Sequence, residues 1–175
     1  MNSGKDFETQ FKDSIPQSKD YYYVRLKDSA NSFNQNQGCL RFTLNQPYDC
    51  QIYNYPYEFC FELKSKATKS LSIQKEKEKG KDIKRHQING LIEADSHYGV
   101  TGGIIINFRN TNNTYFLWIR DFVKFENSCD KKSINEKDAV SFGGILVSQE
   151  LKRVKYTYNI VELIYNICKK EIPIQ

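Results

Sequence analysis

The chain has 175 residues, a formal net charge of +5 and a hydrophobic fraction of 39% that includes 12 Tyr and 11 Phe. This size and this aromatic content predict a single folded domain over residues 1–175 and exclude a chain that is disordered throughout. No apolar run approaches the roughly 20 residues of a membrane-spanning helix, and the polar N-terminus lacks the apolar core of a signal peptide. We therefore expect a soluble, intracellular protein with no membrane partner.

The five cysteines are scattered, odd in number and without a C-x-x-C pair. This pattern argues against a disulfide framework and against a structural zinc site. We expect reduced thiols that are mostly buried.

Positive charge is concentrated in one segment. Between Lys64 and Arg85, eight Lys and one Arg stand against three acidic residues, so this segment carries +6 and the rest of the chain −1. A basic segment on a neutral body is typical of a protein that binds phosphates. A solvated, mobile loop over 65–85 is the alternative interpretation.

The hydrophobic pattern predicts helices and strands in alternation. A first helix begins near Ser3 and ends before Pro16, and strands follow at 21–26, 39–44, 48–53 and 57–64. After the basic segment the pattern predicts a helix over 84–97, strands over 100–108 and 115–120, and a short helix over 121–127. Residues 129–175 form a C-terminal extension with a strand over 153–158 and a helix over 159–169. This order predicts an α/β sandwich with one central sheet.

The predicted strand over Tyr57–Lys64 carries the clearest chemical pattern. Side chains alternate across a strand, so Glu62 and Lys64 share a face about 7 Å apart. Asp49 lies on the preceding predicted strand, across a turn at Asn54–Pro56, and antiparallel pairing would place it beside Glu62. Two carboxylates can bind Mg²⁺, and a neighbouring Lys can orient or deprotonate the water that hydrolyses a phosphodiester.

The alternative for Glu62 and Lys64 is an amphipathic strand with a solvated ion pair. Glu150-Leu151-Lys152 has the same spacing, and we interpret it as a surface coincidence.

A resemblance favours the catalytic interpretation. Pro47-Tyr48-Asp49 followed by Glu62-Leu63-Lys64 resembles the P-D…(D/E)-x-K signature of the restriction-endonuclease-like nucleases, although that signature has Pro where this chain has Tyr48. More narrowly, the chain resembles RecU-type Holliday junction resolvases over roughly residues 4–125. The supporting stretches are Gly4-Lys5-Asp6-Phe7-Glu8, Ser70-Leu71-Ser72-Ile73, Arg85-His86-Gln87-Ile88 and Tyr115-Phe116-Leu117-Trp118-Ile119.

The resemblance implies a central mixed β-sheet flanked by helices on both faces. It implies Asp49 and Glu62 as ligands of Mg²⁺, with Mn²⁺ as a substitute, and Lys64 as the water-activating or charge-stabilising group. Glu8 becomes a peripheral catalytic group near the metal, and Gln87 a positioning residue.

The implied activity is that of a metal-dependent DNA endonuclease that resolves four-way junctions as a homodimer. The Lys-, Asn- and Ile-rich composition suits a phage or a low-GC bacterium. Three alternatives stay open: a restriction- or repair-type endonuclease on duplex DNA, an RNA-directed nuclease, and a non-catalytic DNA-binding subunit that kept the fold.

Seven basic residues are predicted to bind nucleic acid. Six come from the basic segment, and one lies near the end of the first predicted strand. They are Lys66, Lys69, Lys75, Lys81, Lys84, Arg85 and Arg25.

Overall fold

A computed structural model describes residues 3–26, 46–75 and 80–171. The predicted strand at 39–44 lies outside these residues. In chain order the described elements are α1 (Ser3–Asp13), β1 (Tyr22–Arg25), β2 (Cys50–Asn54), β3 (Tyr57–Lys66), β4 (Ser70–Ser72), α2 (Arg85–Asp95), β5 (Val100–Phe108), β6 (Asn113–Trp118), α3 (Ile119–Ser128), β7 (Ser133–Asn135), α4 (Glu136–Ser141), β8 (Ile145–Leu146), β9 (Gln149–Lys152), β10 (Lys155–Tyr158) and α5 (Ile160–Glu171).

Six of these strands form the central sheet, in the order β1-β2-β3-β5-β6-β8. Only the pair β3–β5 is parallel, and the other neighbours in this sheet run antiparallel. A parallel pair needs a crossover connection, and α2 supplies it. The predicted fold class, α/β with a central mixed β-sheet flanked by helices on both faces, is confirmed.

Strand β3 separates two hydrophobic cores. Phe59, Phe61 and Leu63 face the core that contains α1 and α5, whereas Cys60 faces the core that contains α2 and α3. This is the alternation that the sequence predicts for residues 57–64. Because both faces of β3 are covered at its centre, the Glu62 side chain is removed from bulk water.

Helix α1 joins the C-terminal extension to the sheet. The Phe7 ring packs edge-on against Tyr158, with ring centroids 5.5 Å apart. The backbone N–H of Tyr156 donates to Gln10 Oε1 at 2.8 Å, and that of Tyr158 donates to Ser14 Oγ at 2.9 Å. The β9–β10 hairpin is therefore anchored at its base to the helix that carries Glu8.

The described part of the basic segment packs on the protein body. β4 pairs antiparallel with β7, and Leu71, Ile73 and Ile83 are buried. Asp82 accepts hydrogen bonds from the Ser72 backbone and hydroxyl, both at 2.8 Å. A wholly solvated loop would bury none of these groups.

Several element boundaries differ from the prediction. Arg120, predicted in a strand, lies in α3, because Ile119, Phe122 and Phe125 have helical spacing and are all buried. The single strand predicted over 153–158 is instead the hairpin of β9 and β10. Residues 129–143, predicted to contain no element, include β7 and α4, which are too short to show a periodic pattern.

In the parts of the chain that the structure describes, no helix has the length and apolar character needed to cross a membrane. Of the four cysteines that the structure describes, Cys50 and Cys60 are buried and Cys129 and Cys168 are partly exposed, so the expected burial holds for two of them.

Candidate active site

Glu62 is the buried centre of the site. Its side chain is 0% exposed on the central strand. Oε1 accepts from Lys64 Nζ at 2.5 Å and from Gln87 Nε2 at 2.5 Å. Oε2 is equally buried, and no residue in the described part of the chain donates to it. A buried carboxylate oxygen without a donor is costly, so either a proton or a cation at this atom would stabilise the site.

Asp49 lies beside Glu62 because of the strand register. Cys50 pairs with Phe61 across β2 and β3, so the next position places Asp49 opposite Glu62. The Asp49 N–H donates to the Phe61 carbonyl at 3.1 Å, and the Leu63 N–H donates to Asp49 Oδ2 at 2.8 Å. The backbone and the side chain of Asp49 are therefore both hydrogen-bonded to β3, as the predicted antiparallel pairing requires.

The pKa of Glu62 depends on burial and on its charged neighbours. Burial raises the pKa of Glu62 to about 8; the Lys64 ammonium opposes this rise, and the nearby Asp49 carboxylate adds to it. A buried acid whose pKa is raised in this way is typical of a functional site.

Gln87 connects helix α2 to Glu62. Its Nε2 donates to Glu62, while its Oε1 accepts from the Lys84 backbone N–H at 3.0 Å at the start of α2. These two contacts fix which way the amide points. Gln87 is 8% exposed, so its orientation is not averaged by water.

Glu8 approaches the site from α1. Burial raises the pKa of Glu8, and so does the charge of Asp49, while the charges of Arg25 and Lys64 oppose the rise. The Arg25 guanidinium forms an ion pair with Glu8. The structure therefore places Glu8 within electrostatic reach of Asp49 and Lys64, two members of the set that the resemblance groups as catalytic.

Gly90, in the middle of α2, also shapes the site. The pattern of acidic and basic residues in the sequence does not identify it. A Cβ on Gly90 would lie 2.4 Å from Pro47 Cβ and 2.9 Å from Pro47 Cα. Only glycine lets the helix approach the turn that precedes Asp49 so closely. The signal in the sequence is a glycine inside a helix, where it is intrinsically unfavourable.

The residues present fit a hard divalent cation. Glu62 Oε2 lacks a donor, and Asp49 adds a second carboxylate. No group of three or more His, Cys, Asp or Glu side chains arranged to hold a metal occurs within residues 3–26, 46–75 and 80–171. A cation here would have two carboxylate ligands and would complete its shell with oxygens of water or substrate, as Mg²⁺ commonly does.

The seven predicted nucleic-acid contacts occupy different environments. Lys66 pairs with Asp82, and Arg85 pairs with Glu126 at 2.8 Å and donates to the Gln74 carbonyl at 2.8 Å. Together with Arg25, these two side chains have structural partners, which sequence spacing could not reveal. Lys69 and Lys84 are exposed, and Lys75 and Lys81 are partly buried. Phosphate binding by all seven stays a prediction.

The chain is similar to the SPbeta prophage-derived uncharacterized protein YotM of Bacillus subtilis strain 168. The two are 31% identical over 182 aligned residues, which cover 97% of this chain and 89% of YotM. The chain belongs to the YotM family. The prophage origin of that relative is compatible with the phage-encoded origin predicted for this YotM-family chain.

Two further comparisons concern protein-family models and solved structures. No protein-family model matches the chain. Hjc, a Holliday junction resolvase of Archaeoglobus fulgidus, has a similar structure with a TM-score of 0.44 and 10% identity, covering 73% of this chain and 83% of Hjc. The RecU-type resemblance stays a prediction.

We expect Glu62→Gln to change how stability depends on pH. The pKa of Glu62 rises from 4.5 to about 8 on folding, so the folded state binds its proton more tightly and wild-type stability falls as pH rises through this window. Gln keeps the Oε1 acceptor and does not titrate. In thermal melts without divalent ions, Glu62→Gln should therefore flatten this decline and melt higher than wild type above pH 8, by about 3 °C for each kcal/mol.

The matched control is Glu150→Gln on the exposed strand β9, whose pH profile should follow wild type. Identical profiles for wild type and Glu62→Gln would contradict the burial cost assigned to Glu62.

We expect Gly90→Ala to destabilise the protein by about 1–3 kcal/mol, because the added methyl group overlaps Pro47. Intrinsic helix propensity predicts the opposite sign, a gain of about 1 kcal/mol. Urea denaturation of Gly90→Ala and of Asn89→Ala, an exposed position on the same helix, separates the two effects. A Gly90→Ala protein as stable as wild type would show that α2 does not constrain the Asp49 turn.

Proposed function

We propose that this protein is a metal-dependent DNA endonuclease of the restriction-endonuclease-like class. The observation that carries the proposal is the carboxylate pair of the half-buried Asp49 and the fully buried Glu62, with the unpartnered Glu62 Oε2 close to the Lys64 ammonium. An ordinary structural ion pair would not need a second carboxylate at the same place. The solvated ion pair considered from sequence does not match a Glu62 side chain that is 0% exposed.

We propose that the cation is Mg²⁺, with Mn²⁺ as a substitute, and that Asp49 and Glu62 bind it. When bound, it would act as a Lewis acid toward the phosphate and lower the pKa of a bound water. Gln87 holds the Glu62 carboxylate in one orientation so that Oε2 stays available. Glu8, whose pKa responds to the charge of Asp49, is suited to accept a hydrogen bond from a water.

Lys64 has the remaining chemical role. Its ammonium contacts Glu62 Oε1, and the Lys64 side chain is 18% exposed. The ammonium can therefore reach a substrate at the surface of the site. Hydrolysis adds water to the phosphodiester and breaks one P–O bond, and negative charge builds on the phosphate oxygens. A fixed ammonium there stabilises that charge or orients the attacking water.

Within this class we propose a Holliday junction resolvase, on the basis of the ordered RecU-like motifs. Resolution requires two symmetric cuts in strands of like polarity on opposite sides of the junction. A twofold homodimer supplies two sites with that symmetry. We place the protein in the bacterial cytoplasm, where its DNA substrate is found.

The test is cleavage of a labelled four-way junction and of a linear duplex of the same sequence, with and without Mg²⁺. We expect Mg²⁺-dependent cleavage by wild type and roughly 100-fold or greater losses for Lys64→Ala and Glu62→Gln, the range found when a group that assists proton transfer is removed. Two exposed positions serve as controls, Lys12→Ala and Glu93→Gln, which should cleave like wild type.

Each outcome has a distinct meaning. Junction cleavage without duplex cleavage supports a resolvase, and equal cleavage supports the restriction- or repair-type alternative. DNA binding without cleavage by wild type would reject the enzyme in favour of a DNA-binding subunit.

A further inference from the structure

We propose that the β9–β10 hairpin is a second nucleic-acid contact, whose tip binds backbone phosphates of a DNA arm beside the active site. The tip is the sequence Lys152-Arg153-Val154-Lys155, and all four of its residues are exposed. The identity of the ligand as DNA rests on the proposed function. This contact is separate from the basic segment 64–85, for which phosphate binding is predicted from the charge of the sequence.

The tip carries more positive charge than a stable hairpin needs. Lys152 and Lys155 are direct cross-strand partners, and like charges at that position destabilise a β-ribbon. Glu150 gives little relief, because its Oε2 is 3.7 Å from Lys152 Nζ and both side chains are mostly exposed. A polyanion lying along the ribbon would remove this repulsion.

The turn itself is also locally unfavourable. Arg153 has a φ of 58°, in the left-handed region where two-residue hairpins favour Gly or Asn. Val154, the next residue, leaves 87% of its surface in water. A tip that combines an unfavourable turn residue, three cations and an exposed aliphatic side chain is explained by binding better than by folding.

The position of the hairpin connects it to the candidate active site. Val154 and Lys155 line a cavity of about 470 Å³ together with Ser65 and Arg109. Ser65 directly follows Lys64 on β3, so the tip lies at the end of the strand that carries the candidate catalytic lysine. Because adjacent side chains on a strand point to opposite faces, the hairpin flanks this end from the α1 side of the sheet.

The exposed cations of this region suit a polyanion such as double-stranded DNA, and Asp6 is the one acidic residue among the described residues that line the cavity. Arg109 is exposed at the end of β5 and adds a fourth cation near the tip. The major groove of B-DNA admits a two-stranded β-ribbon, and Lys and Arg on its edges can reach phosphates. The exposed Val154 would then contact sugars or the methyl group of thymine.

The test is a variant that removes the charge and improves the hairpin: Lys152→Thr, Arg153→Gly and Lys155→Thr together. Binding to labelled four-way junction and duplex DNA is measured by fluorescence anisotropy over a range of salt concentrations, without divalent ions. We expect affinity to fall about tenfold or more, and the slope of log K against log salt to flatten by about 2–3, at roughly 0.9 for each lost phosphate contact. The melting temperature should equal or exceed that of wild type, so misfolding cannot explain the loss.

The matched control removes the same three charges from exposed positions elsewhere, as Lys12→Gln, Lys19→Gln and Lys169→Gln. Its affinity should stay within about twofold of wild type. An equal loss in both variants would show a bulk charge effect, and an unchanged hairpin variant would leave the tip to some other acidic partner; either result overturns the inference.

The outcomes also separate this inference from the nuclease proposal. A wild-type protein that binds DNA through the hairpin and never cleaves it would reject the nuclease and keep the hairpin contact. Normal cleavage with a hairpin variant that binds DNA as well as wild type would reject the hairpin contact alone. A wild type that binds no DNA would reject both.

Discussion

The burial of the Glu62 carboxylate on the central strand is the interaction on which the rest of the site depends. Burial raises the pKa of this acid to about 8, although Lys64 and Gln87 both donate to its Oε1. Its second oxygen has no donor in the described residues. The fold therefore bears a cost at Glu62 that a bound cation would relieve, and stability and function oppose each other at this one side chain.

Three separate elements hold that carboxylate in its setting. Strand β2 brings Asp49 opposite Glu62, helix α2 brings Gln87 into contact, and helix α1 brings Glu8 to the edge of the pair. The Gly90–Pro47 contact sets how close α2 lies to the Asp49 turn. The same helix α1 anchors the β9–β10 hairpin, so the candidate catalytic group and the candidate DNA-binding tip share one rigid support.

The strand pattern of β3 and its pairing with β2 could be predicted from sequence, because alternation and a short turn are local signals. The ion pairs of Arg25 and Arg85 could not, since their acidic partners lie 17 and 41 residues away. Strand β10 lies within the strand predicted over 153–158, but β9 could not be predicted, because Glu150, Leu151 and Lys152 are all exposed and leave no apolar alternation. For Gly90, the sequence shows only that a glycine interrupts a predicted helix. Its contact with Pro47 could not be predicted, because the tertiary fold brings the two residues together.

The most direct measurement is anomalous scattering from crystals soaked in Mn²⁺, comparing wild type with Glu62→Gln. We expect a peak within bonding distance of both Asp49 and Glu62 Oε2 in wild type, and its loss or marked weakening in the variant. A wild-type crystal with no peak between these carboxylates, or with manganese bound only elsewhere, would contradict the metal centre and with it the assignment of a hydrolytic nuclease.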